Sequence, residues 1–334
     1  MKIAVFEVED WEREIFDSKL SAKHTLAYSD EPLTSENASH FADAEVICGF
    51  IYSDLGTDIL QQFEQLQLIT TRSTGFDQID TKYCQQKGIK VCNVPNYGEN
   101  TVAEHVFALL LALSHRIVDA VDRTRKGDFS FKGLQGFDLR GKTLGVIGTG
   151  AIGRCVIEIA NGLRMDVVAY EQNPKPELAA ELGFRYLQIE ELLATADVIT
   201  LHVPANKKTY HLLSEEQFAQ MKHGVIVINT TRGSVIDIKA LLHAIATGKV
   251  AAAGLDVLPE EFVMHQESEL LKSVIYKQND LEALLANQVL LRLSNVIVTP
   301  HSAFNTREAR ERILDTTLNN IHSFVQGNPE NLVV

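Results

Sequence analysis

Short apolar runs alternate with helix-length segments along almost the whole chain, and this alternation limits the fold more than any other feature. In the first hundred residues the apolar runs are KIAVF, HTLAY, AEVICGF, LQLITT and IKVCNV. After residue 140 they are KTLGVIGTG, DVVAYE, ADVITLHVP, GVIVINTT, VAAAGLDV and NVIVTPH. Alternating strand and helix patterns are typical of βαβ units with parallel sheets. The sequence therefore predicts two parallel sheets, the second with six strands.

The length of 334 residues exceeds what one hydrophobic core normally holds, so two domains are expected. Between the two groups of strands lies an apolar segment, residues 101–125, which predicts one long and largely buried helix. Thr101 followed by Glu104 predicts a capping box at its start. The length of this helix suits a junction between domains or subunits. A last helical pattern, residues 305–325, would make the first domain discontinuous if it returned there.

Charge and cysteine content narrow the class of protein. A net charge of −13 argues against nucleic acid or an anionic membrane surface as the main partner. The N-terminus lacks the regions of a signal peptide, and the apolar stretches are too short to span a membrane. The cysteines are neither closely paired nor near histidine-rich segments, so reduced thiols in a cytoplasmic protein without a metal site are expected. They are Cys48, Cys84, Cys92 and Cys155.

A dinucleotide-binding fingerprint lies near the middle of the chain, within GVIGTGAIG. Gly148, Gly150 and Gly153 form G-x-G-x-x-G between an apolar strand and a helical pattern at residues 154–163. In this motif the first glycine allows a tight turn, the second lets the backbone approach a pyrophosphate, and the third brings the helix close to the strand. The next strand ends at Glu171, 23 positions after Gly148, where an acid can bind a ribose and would repel a 2′-phosphate. The sequence therefore predicts NAD as the cofactor in preference to NADP.

Three polar groups follow apolar strands of the second predicted sheet. Arg232 comes after VIVINTT, Glu261 after AAAGLDVLPE, and His301 after NVIVTP. Because the carboxyl ends of parallel strands face one crevice, we expect these side chains at a common site. An arginine can bind the carboxylate of a 2-keto acid, and a histidine can supply the proton that its reduction requires. A carboxylate beside that histidine would favour its protonated form and orient the ring.

These segments also resemble a known family. VIGTGAIG, HVP, NTTRGSVID, AGLDVLPEE and TPHSAF are similar, in kind and in order, to the D-isomer-specific 2-hydroxyacid dehydrogenase family over nearly the whole chain. The resemblance implies an α/β fold with two doubly wound parallel-sheet domains and the active site in the cleft between them. A flavodoxin-like substrate domain would comprise residues 1–100 and 300–334, and a Rossmann NAD-binding domain residues 101–299. The resemblance also implies a homodimer formed through the region of residues 101–125.

The resemblance implies roles for individual residues. Arg232 would bind the substrate carboxylate and carbonyl, His301 would be the acid/base, and Glu261 would be its partner. The substrate-binding residues would be Thr74, Gly75, Tyr97 and Phe304. The cofactor-binding residues would be Gly148, Gly150, Ala151, Ile152, Gly153, Glu171, His202, Val203, Pro204, Thr230, Thr231 and Asp256.

Within this family, VPNYGENTVAEH and HSAFNT are most similar to the D-lactate dehydrogenase branch, which implies reduction of pyruvate to D-lactate with NADH. Three alternatives stay open: another 2-keto acid, branched or phosphorylated; formate; or NAD sensing by a co-repressor-like protein. Formate-oxidising relatives pair their histidine with glutamine, so Glu261 disfavours formate. The acidic net charge gives little support to the co-repressor. Residues 262–294 are expected to add a loop or helix near the mouth of the active site.

Overall fold

The computed structural model describes residues 1–259 and 281–334. The described chain forms two compact units, one of residues 1–97 and 306–334 and the other of residues 98–305. Each unit is built on a β-sheet in which every strand pair is parallel. Parallel sheets need apolar cover on both faces, and each sheet here separates two clusters of buried apolar side chains.

The first unit has the strand order β2-β1-β3-β4-β5, which is the flavodoxin-like order. Its strands are β1 (Lys2–Val5), β2 (Thr25–Tyr28), β3 (Val46–Gly49), β4 (Leu68–Thr71) and β5 (Lys90–Cys92). They coincide with the five apolar runs predicted from the sequence. Its first helices are α1 (Asp10–Leu20), α2 (Thr57–Leu60) and α3 (Thr81–Lys87), and a 3-10 turn spans Ala38–Phe41.

The end of the chain completes the first unit. The last helix, α12 (Arg307–Val325), lies on the face of the sheet that also carries α1, as the C-terminal helical pattern allowed. After it, the chain runs antiparallel to β5, where the amide of Val333 donates to the carbonyl oxygen of Val91 at 2.8 Å. This pairing covers an edge of the sheet that would otherwise present unpaired backbone groups.

The second unit has seven strands in the order β12-β11-β10-β9-β6-β7-β8. The strands are β6 (Thr143–Ile147), β7 (Asp166–Tyr170), β8 (Arg185–Tyr186), β9 (Val198–Leu201), β10 (Val225–Asn229), β11 (Val250–Leu255) and β12 (Val296–Val298). Taken from its other side, the sheet begins β8-β7-β6-β9-β10-β11, which is the Rossmann order 3-2-1-4-5-6 when β6 is counted as the first strand. The strand β12 adds a seventh strand beside β11. The sequence predicted six strands. It missed β8, because two residues on the edge of a sheet make no apolar run.

The helices of this unit lie on both faces of its sheet. They are α4 (Glu99–Ser114), α5 (Ile117–Arg125), α6 (Ala151–Gly162), α7 (Pro176–Leu182), α8 (Ile189–Thr195), α9 (Glu215–Gln220), α10 (Ile238–Ala246) and α11 (Leu281–Leu290). A 3-10 turn spans Gly233–Val235. The helix α11 lies within the predicted insertion at residues 262–294 and packs on α10. Residues 260–280 lie outside the described residues.

The prediction of one helix over residues 101–125 was wrong. Two helices, α4 and α5, meet at an angle of 63°. Arg116 takes the left-handed conformation at the break, and the carbonyl oxygen of Ser114 accepts a hydrogen bond from the amide of Phe137 at 2.9 Å. The capping box was also wrong: α4 begins at Glu99, with Gly98 as its N-cap. In the described chain no single helix could span a membrane, and only this bent pair meets the criteria of length and composition.

Candidate functional site

The fingerprint glycines form the turn between β6 and α6. Gly148 has a left-handed φ of 101°, and a Cβ there would lie 2.8 Å from the carbonyl carbon of His202. A Cβ on Gly153 would overlap the carbonyl oxygen of Gly148, whereas one on Gly150 would meet nothing within 4 Å. Gly148 and Gly153 are therefore required for the close packing of this turn. Gly150 leaves open the space that a pyrophosphate needs at the N-terminus of α6. The predicted residues Ala151 and Ile152 form the first turn of this helix.

Glu171 lies beside this turn, at the end of β7. Its carboxylate accepts hydrogen bonds from the amide of Thr149 at 3.0 Å and from its neighbouring amide, that of Gln172, at 2.9 Å. The hydroxyl of Thr149 also lies 3.0 Å from the hydroxyl of Tyr186 on β8. The short strand that the sequence did not predict therefore helps to hold the turn to which the acid is bound.

The next predicted cofactor residues follow β9 and β10. Burial lowers the pKa of His202 to about 3, so its ring is neutral near pH 7. The ring Nε2 lies 2.9 Å from the hydroxyl of Thr200, while Nδ1 is buried and has no partner among the described residues. The hydroxyl of Thr230 is likewise buried and unpaired within the described chain. Val203 and Pro204 follow His202 and are half-buried and exposed, respectively.

These observations test whether the site fits a dinucleotide. Buried polar atoms normally have a partner, so an unpaired imidazole nitrogen and an unpaired hydroxyl at adjacent strand ends are hydrogen-bonding groups that a polar ligand could satisfy. Both lie at the same sheet edge as the glycine turn and Glu171, because all strands in this sheet run parallel. The open space at Gly150, the acid and the two orphaned atoms therefore fit NAD.

Arg232 lies in the turn after β10, at the same edge. Asn229 organises that turn: its side-chain oxygen accepts from the amide of Thr231 at 3.0 Å, and its Nδ2 donates to the carbonyl of Arg232 at 3.0 Å. The guanidinium is half-buried, and its Nη1 donates to the carbonyl of Thr231 at 2.8 Å. Gly233 follows, and a Cβ there would overlap the backbone between Leu258 and Pro259. The turn that carries Arg232 is therefore packed directly against the segment after β11.

Asp256 lies just after β11 and is only 1% exposed. Both of its carboxylate oxygens hold the connection that follows β12, residues 299–303. Its Oδ1 accepts from the Thr299 hydroxyl at 2.6 Å and the Ser302 amide at 2.9 Å, and its Oδ2 from the Ala303 amide at 2.9 Å. Burial by itself would raise the pKa of this carboxyl. Hydrogen bonds, first among them that of His105, outweigh the effect of burial, so the pKa lies below its ordinary value.

His301 lies inside the connection that Asp256 holds. Its backbone is left-handed, with a φ of 50°, a conformation that is unfavourable for residues other than glycine. Its amide donates to the carbonyl oxygen of Asp256 at 2.9 Å and to that of Thr299 at 3.0 Å. Phe304, the predicted pocket residue, is half-buried three positions later. The conformation at His301 is thus maintained by bonds on both sides of it.

Sequence reasoning missed two residues of this site. Asn229 organises the turn of Arg232, and His105 on α4 lies 3.0 Å from the hydroxyl of Thr299 and 3.4 Å from the carboxylate of Asp256. Asn229 could have been noticed as a polar residue that ends an otherwise apolar strand. No local pattern marks His105, which is separated by 194 positions from Thr299.

The first unit carries three predicted substrate-binding residues, Thr74, Gly75 and Tyr97. Thr74 Oγ1 donates to the carbonyl of Val94 at 2.8 Å, and the Asn93 amide group donates to the carbonyl of Thr74 at 2.8 Å. The backbone amides of Thr74 and Gly75 donate to none of the described residues. Side chains and carbonyls therefore hold this turn, and its two successive amides have no acceptor among the described residues.

The structure brings most predicted residues to one sheet edge, with four exceptions. Thr74, Gly75 and Tyr97 belong to the other unit, and Glu261 lies outside the described residues. The roles of all these residues in binding and catalysis stay predictions. The second unit, however, presents an arginine, a histidine and a dinucleotide-binding turn at the carboxyl ends of parallel strands, where α/β sheets bind ligands.

The chain is similar to known proteins over its whole length. The family model described as D-isomer specific 2-hydroxyacid dehydrogenase, NAD binding domain, matches residues 107–303. A 2-hydroxyacid dehydrogenase homolog of Haemophilus influenzae is 37% identical, covering 100% of this chain and 99% of that protein. D-lactate dehydrogenase of Escherichia coli is 36% identical, covering 98% of both chains. The solved structure of D-lactate dehydrogenase from Aquifex aeolicus, complexed with NAD and lactic acid, has a TM-score of 0.88 at 36% identity and 99% coverage of both chains.

These similarities confirm the predicted family, the predicted fold class, the NAD cofactor and the oxidoreductase class. They agree with the strand orders of the two sheets and with the glycine turn and the acid at the nucleotide-binding edge. The chain belongs to the D-isomer-specific 2-hydroxyacid dehydrogenase family, whose members bind NAD and act on the CH–OH group of 2-hydroxy acids.

Proposed function

We propose that the chain is a D-lactate dehydrogenase that reduces pyruvate to D-lactate with NADH, using Arg232 to bind the substrate and His301 to donate the proton. The observation that carries this proposal is the full-length similarity to D-lactate dehydrogenases together with the placement of both residues at the nucleotide-binding edge. The segment HSAFNT supports the same branch of the family.

Arg232 suits the recognition of a 2-keto acid. Its guanidinium offers two parallel N–H donors to a carboxylate, and the charge does not depend on pH in the physiological range. Because Asn229 and the backbone at residues 258–259 hold its turn, the arginine is oriented before substrate arrives. In an acidic protein of net charge −13, this local positive group gives the anionic substrate a favourable place to bind.

His301 suits the transfer of a proton to the carbonyl oxygen. An imidazole can donate a proton near neutral pH and recover it from solvent after each turnover. Bound NADH supplies the hydride that the carbonyl carbon receives. Arg232 polarises the same carbonyl, so that negative charge developing on the oxygen is stabilised until the proton arrives.

The remaining predicted residues complete the proposal. The paired amides of Thr74 and Gly75 are suited to bind the substrate carboxylate, and Tyr97 and Phe304 to enclose a small side chain such as the methyl group of pyruvate. Glu261 is proposed as the carboxylate that pairs with His301. Its position lies outside the described residues.

We also propose that the chain forms a homodimer through the region of α4 and α5. Helix α5 exposes three large apolar side chains, Ile117, Val118 and Val121, and the following segment exposes Phe129 and Phe131. Exposed apolar groups in this number are typical of a surface that contacts another protein. A cytoplasmic location is proposed as well, supported by the four free cysteines.

The test of the proposed activity is a panel of 2-keto acids, with pyruvate compared with branched and phosphorylated acids, followed by NADH absorbance and by the chirality of the product. We expect the highest kcat/KM with pyruvate, and D-lactate as the product. A preference for a branched or phosphorylated acid would refute the substrate. Binding of NADH without turnover of any 2-keto acid would refute the activity and favour an NAD sensor.

Variants of the two proposed residues test the mechanism. Arg232→Ala and His301→Ala should each lower kcat/KM by about 10²- to 10⁴-fold. NADH binding, measured by fluorescence, should stay within about threefold of the wild type, since neither side chain is assigned to the nucleotide. Arg232→Lys should recover little, because an ammonium cannot form the paired hydrogen bonds. The control is His223→Ala, which alters an exposed histidine before the amino end of β10, whereas Arg232 follows its carboxyl end. Near-normal turnover in either alanine variant would contradict the assignment.

A further inference from the structure

A second histidine, His105, contacts the residues that hold the backbone of the proposed acid/base, His301. His105 lies in the second turn of α4, with its side chain 20% exposed. Its Nε2 is 3.0 Å from the hydroxyl oxygen of Thr299 and 3.4 Å from Oδ1 of Asp256. Most residues around His105 on α4 are buried and apolar. His105 is a polar exception that contacts Thr299 and Asp256, the two residues that hold the connection of His301.

The protons available to Asp256 and Thr299 determine the role of His105 in this cluster. The pKa of Asp256 lies below its ordinary value, so its carboxylate is ionised near neutral pH and only accepts hydrogen bonds. The single hydroxyl proton of Thr299 is directed at that carboxylate, at 2.6 Å. The hydroxyl oxygen of Thr299 must then accept from His105, so Nε2 of His105 carries a proton. His105 is thus a donor to both members of the pair.

The same pair controls the backbone around His301. Thr299 precedes His301 by two residues, and its carbonyl accepts from the His301 amide at 3.0 Å. On the other side, the carboxylate of Asp256 holds the amides of Ser302 and Ala303. Thr299 and Asp256 therefore maintain the strained left-handed conformation of His301, and both of them contact His105 on α4.

We propose that His105 is a positioning residue for His301, acting through Thr299 and Asp256 to fix the direction in which the imidazole presents its proton. This inference rests on the proposed function of His301. A displacement of a reacting group by about 1 Å can cost on the order of 100-fold in rate, so loss of one donor in this cluster is expected to affect turnover more than binding.

The test uses three substitutions that differ in where they place an N–H donor. Glutamine can place its amide nitrogen near the position of Nε2, whereas asparagine reaches only the position of Nδ1, and alanine has no donor. The assay measures reduction of pyruvate by NADH with the intact chain. We expect His105→Ala and His105→Asn to lower kcat by about 10- to 100-fold and to keep the KM for NADH within about twofold of the wild-type value. His105→Gln should recover kcat to within about threefold of the wild type. His223→Gln, at an exposed histidine that precedes β10, is the control.

Two results would overturn the proposal. One is a wild-type kcat in His105→Ala. The other is a loss of kcat, NADH affinity and thermal stability together that glutamine does not restore, because that pattern indicates a general packing role.

A second measurement does not depend on turnover. In protein labelled with ¹⁵N-histidine, the ring signals of His301 are identified by their loss in His301→Asn. We expect these signals to move in His105→Asn and to remain near their wild-type positions in His105→Gln. Signals that are identical in all three proteins refute the positioning role. If no 2-keto acid is reduced, the proposed function fails, and these spectra still decide whether His105 controls the environment of His301.

Discussion

The fingerprint glycines have different surroundings, which predicts different effects of the same added methyl group. A Cβ on Gly153 would overlap the carbonyl oxygen of Gly148 and lie 3.1 Å from the carbonyl carbon. A Cβ on Gly150 would have no heavy atom within 4 Å. We therefore predict that Gly153→Ala destabilises the folded chain. We predict that Gly150→Ala leaves the chain folded and weakens NADH binding.

The cost at Gly153 follows from the atoms involved. The overlap is with backbone, which cannot rotate away, so α6 must move from β6 and the packing of Val156 and Ile157 is disturbed. Overpacking of a well-filled core costs about 1–3 kcal/mol, and we expect about 3 kcal/mol because a whole helix must shift. In a unit of this size that corresponds to a decrease in Tm of about 6–12 °C.

The cost at Gly150 is smaller and lies elsewhere. Its backbone, with φ −66° and ψ −168°, is accessible to alanine. The weaker N-cap preference of alanine and the reduced entropy of the unfolded chain are each worth about 0.5–1 kcal/mol and oppose one another. Stability without cofactor should thus remain within about 1 kcal/mol. The methyl group would occupy the place of the pyrophosphate, and we expect NADH binding to weaken by about 10- to 100-fold, or 1.4–2.8 kcal/mol.

Thermal unfolding with and without NADH, combined with a fluorescence titration of NADH, separates the two effects. Gly150→Ala should keep the Tm of the free protein and lose most of the increase that NADH produces in the wild type. Gly153→Ala should begin from a lower Tm. Gly162→Ala, at the other end of α6 and also with open space around its Cβ, is the matched control and should change neither NADH binding nor folding adversely. A wild-type Tm in Gly153→Ala, or wild-type NADH affinity in Gly150→Ala, would contradict the roles assigned to these glycines.

The carboxylate of Asp256 and the exposed apolar face of α5 predict two further effects. The lowered pKa of Asp256 means that its contribution to stability is present above the pKa of an unfolded aspartate, about 4, and is lost as the pH falls through the folded value. Asp256→Asn should cost about 1–3 kcal/mol at pH 7, with a difference in Tm that narrows below about pH 4, and an unchanged difference would contradict the assigned contacts. Val118 on α5 is 55% exposed, and Val118→Glu should convert a dimer to monomers in sedimentation analysis, whereas Val325→Glu on α12 should not. A wild type that sediments as a monomer, or a Val118→Glu variant that remains dimeric, would refute the proposed interface.

The strands and the nucleotide-binding turn could be predicted from the sequence because their signals are local. A short apolar run bounded by turn residues is typical of a strand, and G-x-G-x-x-G followed by an acid after the next strand has one common structural use. Arg232 and His301 could be predicted as well, since each comes directly after such a run. Their presence at one edge needs only the assumption that the strands are parallel.

The failures of prediction share a different origin. Residues 101–125 are apolar and helix-forming throughout, so only the loop that binds the carbonyl of Ser114 reveals the break at Arg116. The strand β8 forms because it pairs with β7. The residues Arg185 and Tyr186 form no apolar run from which a strand could be predicted.

The cluster around His301 shows the same division most clearly. From the residues alone, a histidine could be placed after the last strand, because the apolar run Val296–Val298 is evident from its own side chains. The bonds from the amides after that histidine to Asp256, and the contacts of His105 with Asp256 and with Thr299, 194 positions away, exist only in the folded chain. Hydrophobic periodicity is set by neighbours along the chain, and it can therefore be recognised in a short segment. A hydrogen bond between distant residues, in contrast, depends on how all the intervening elements pack.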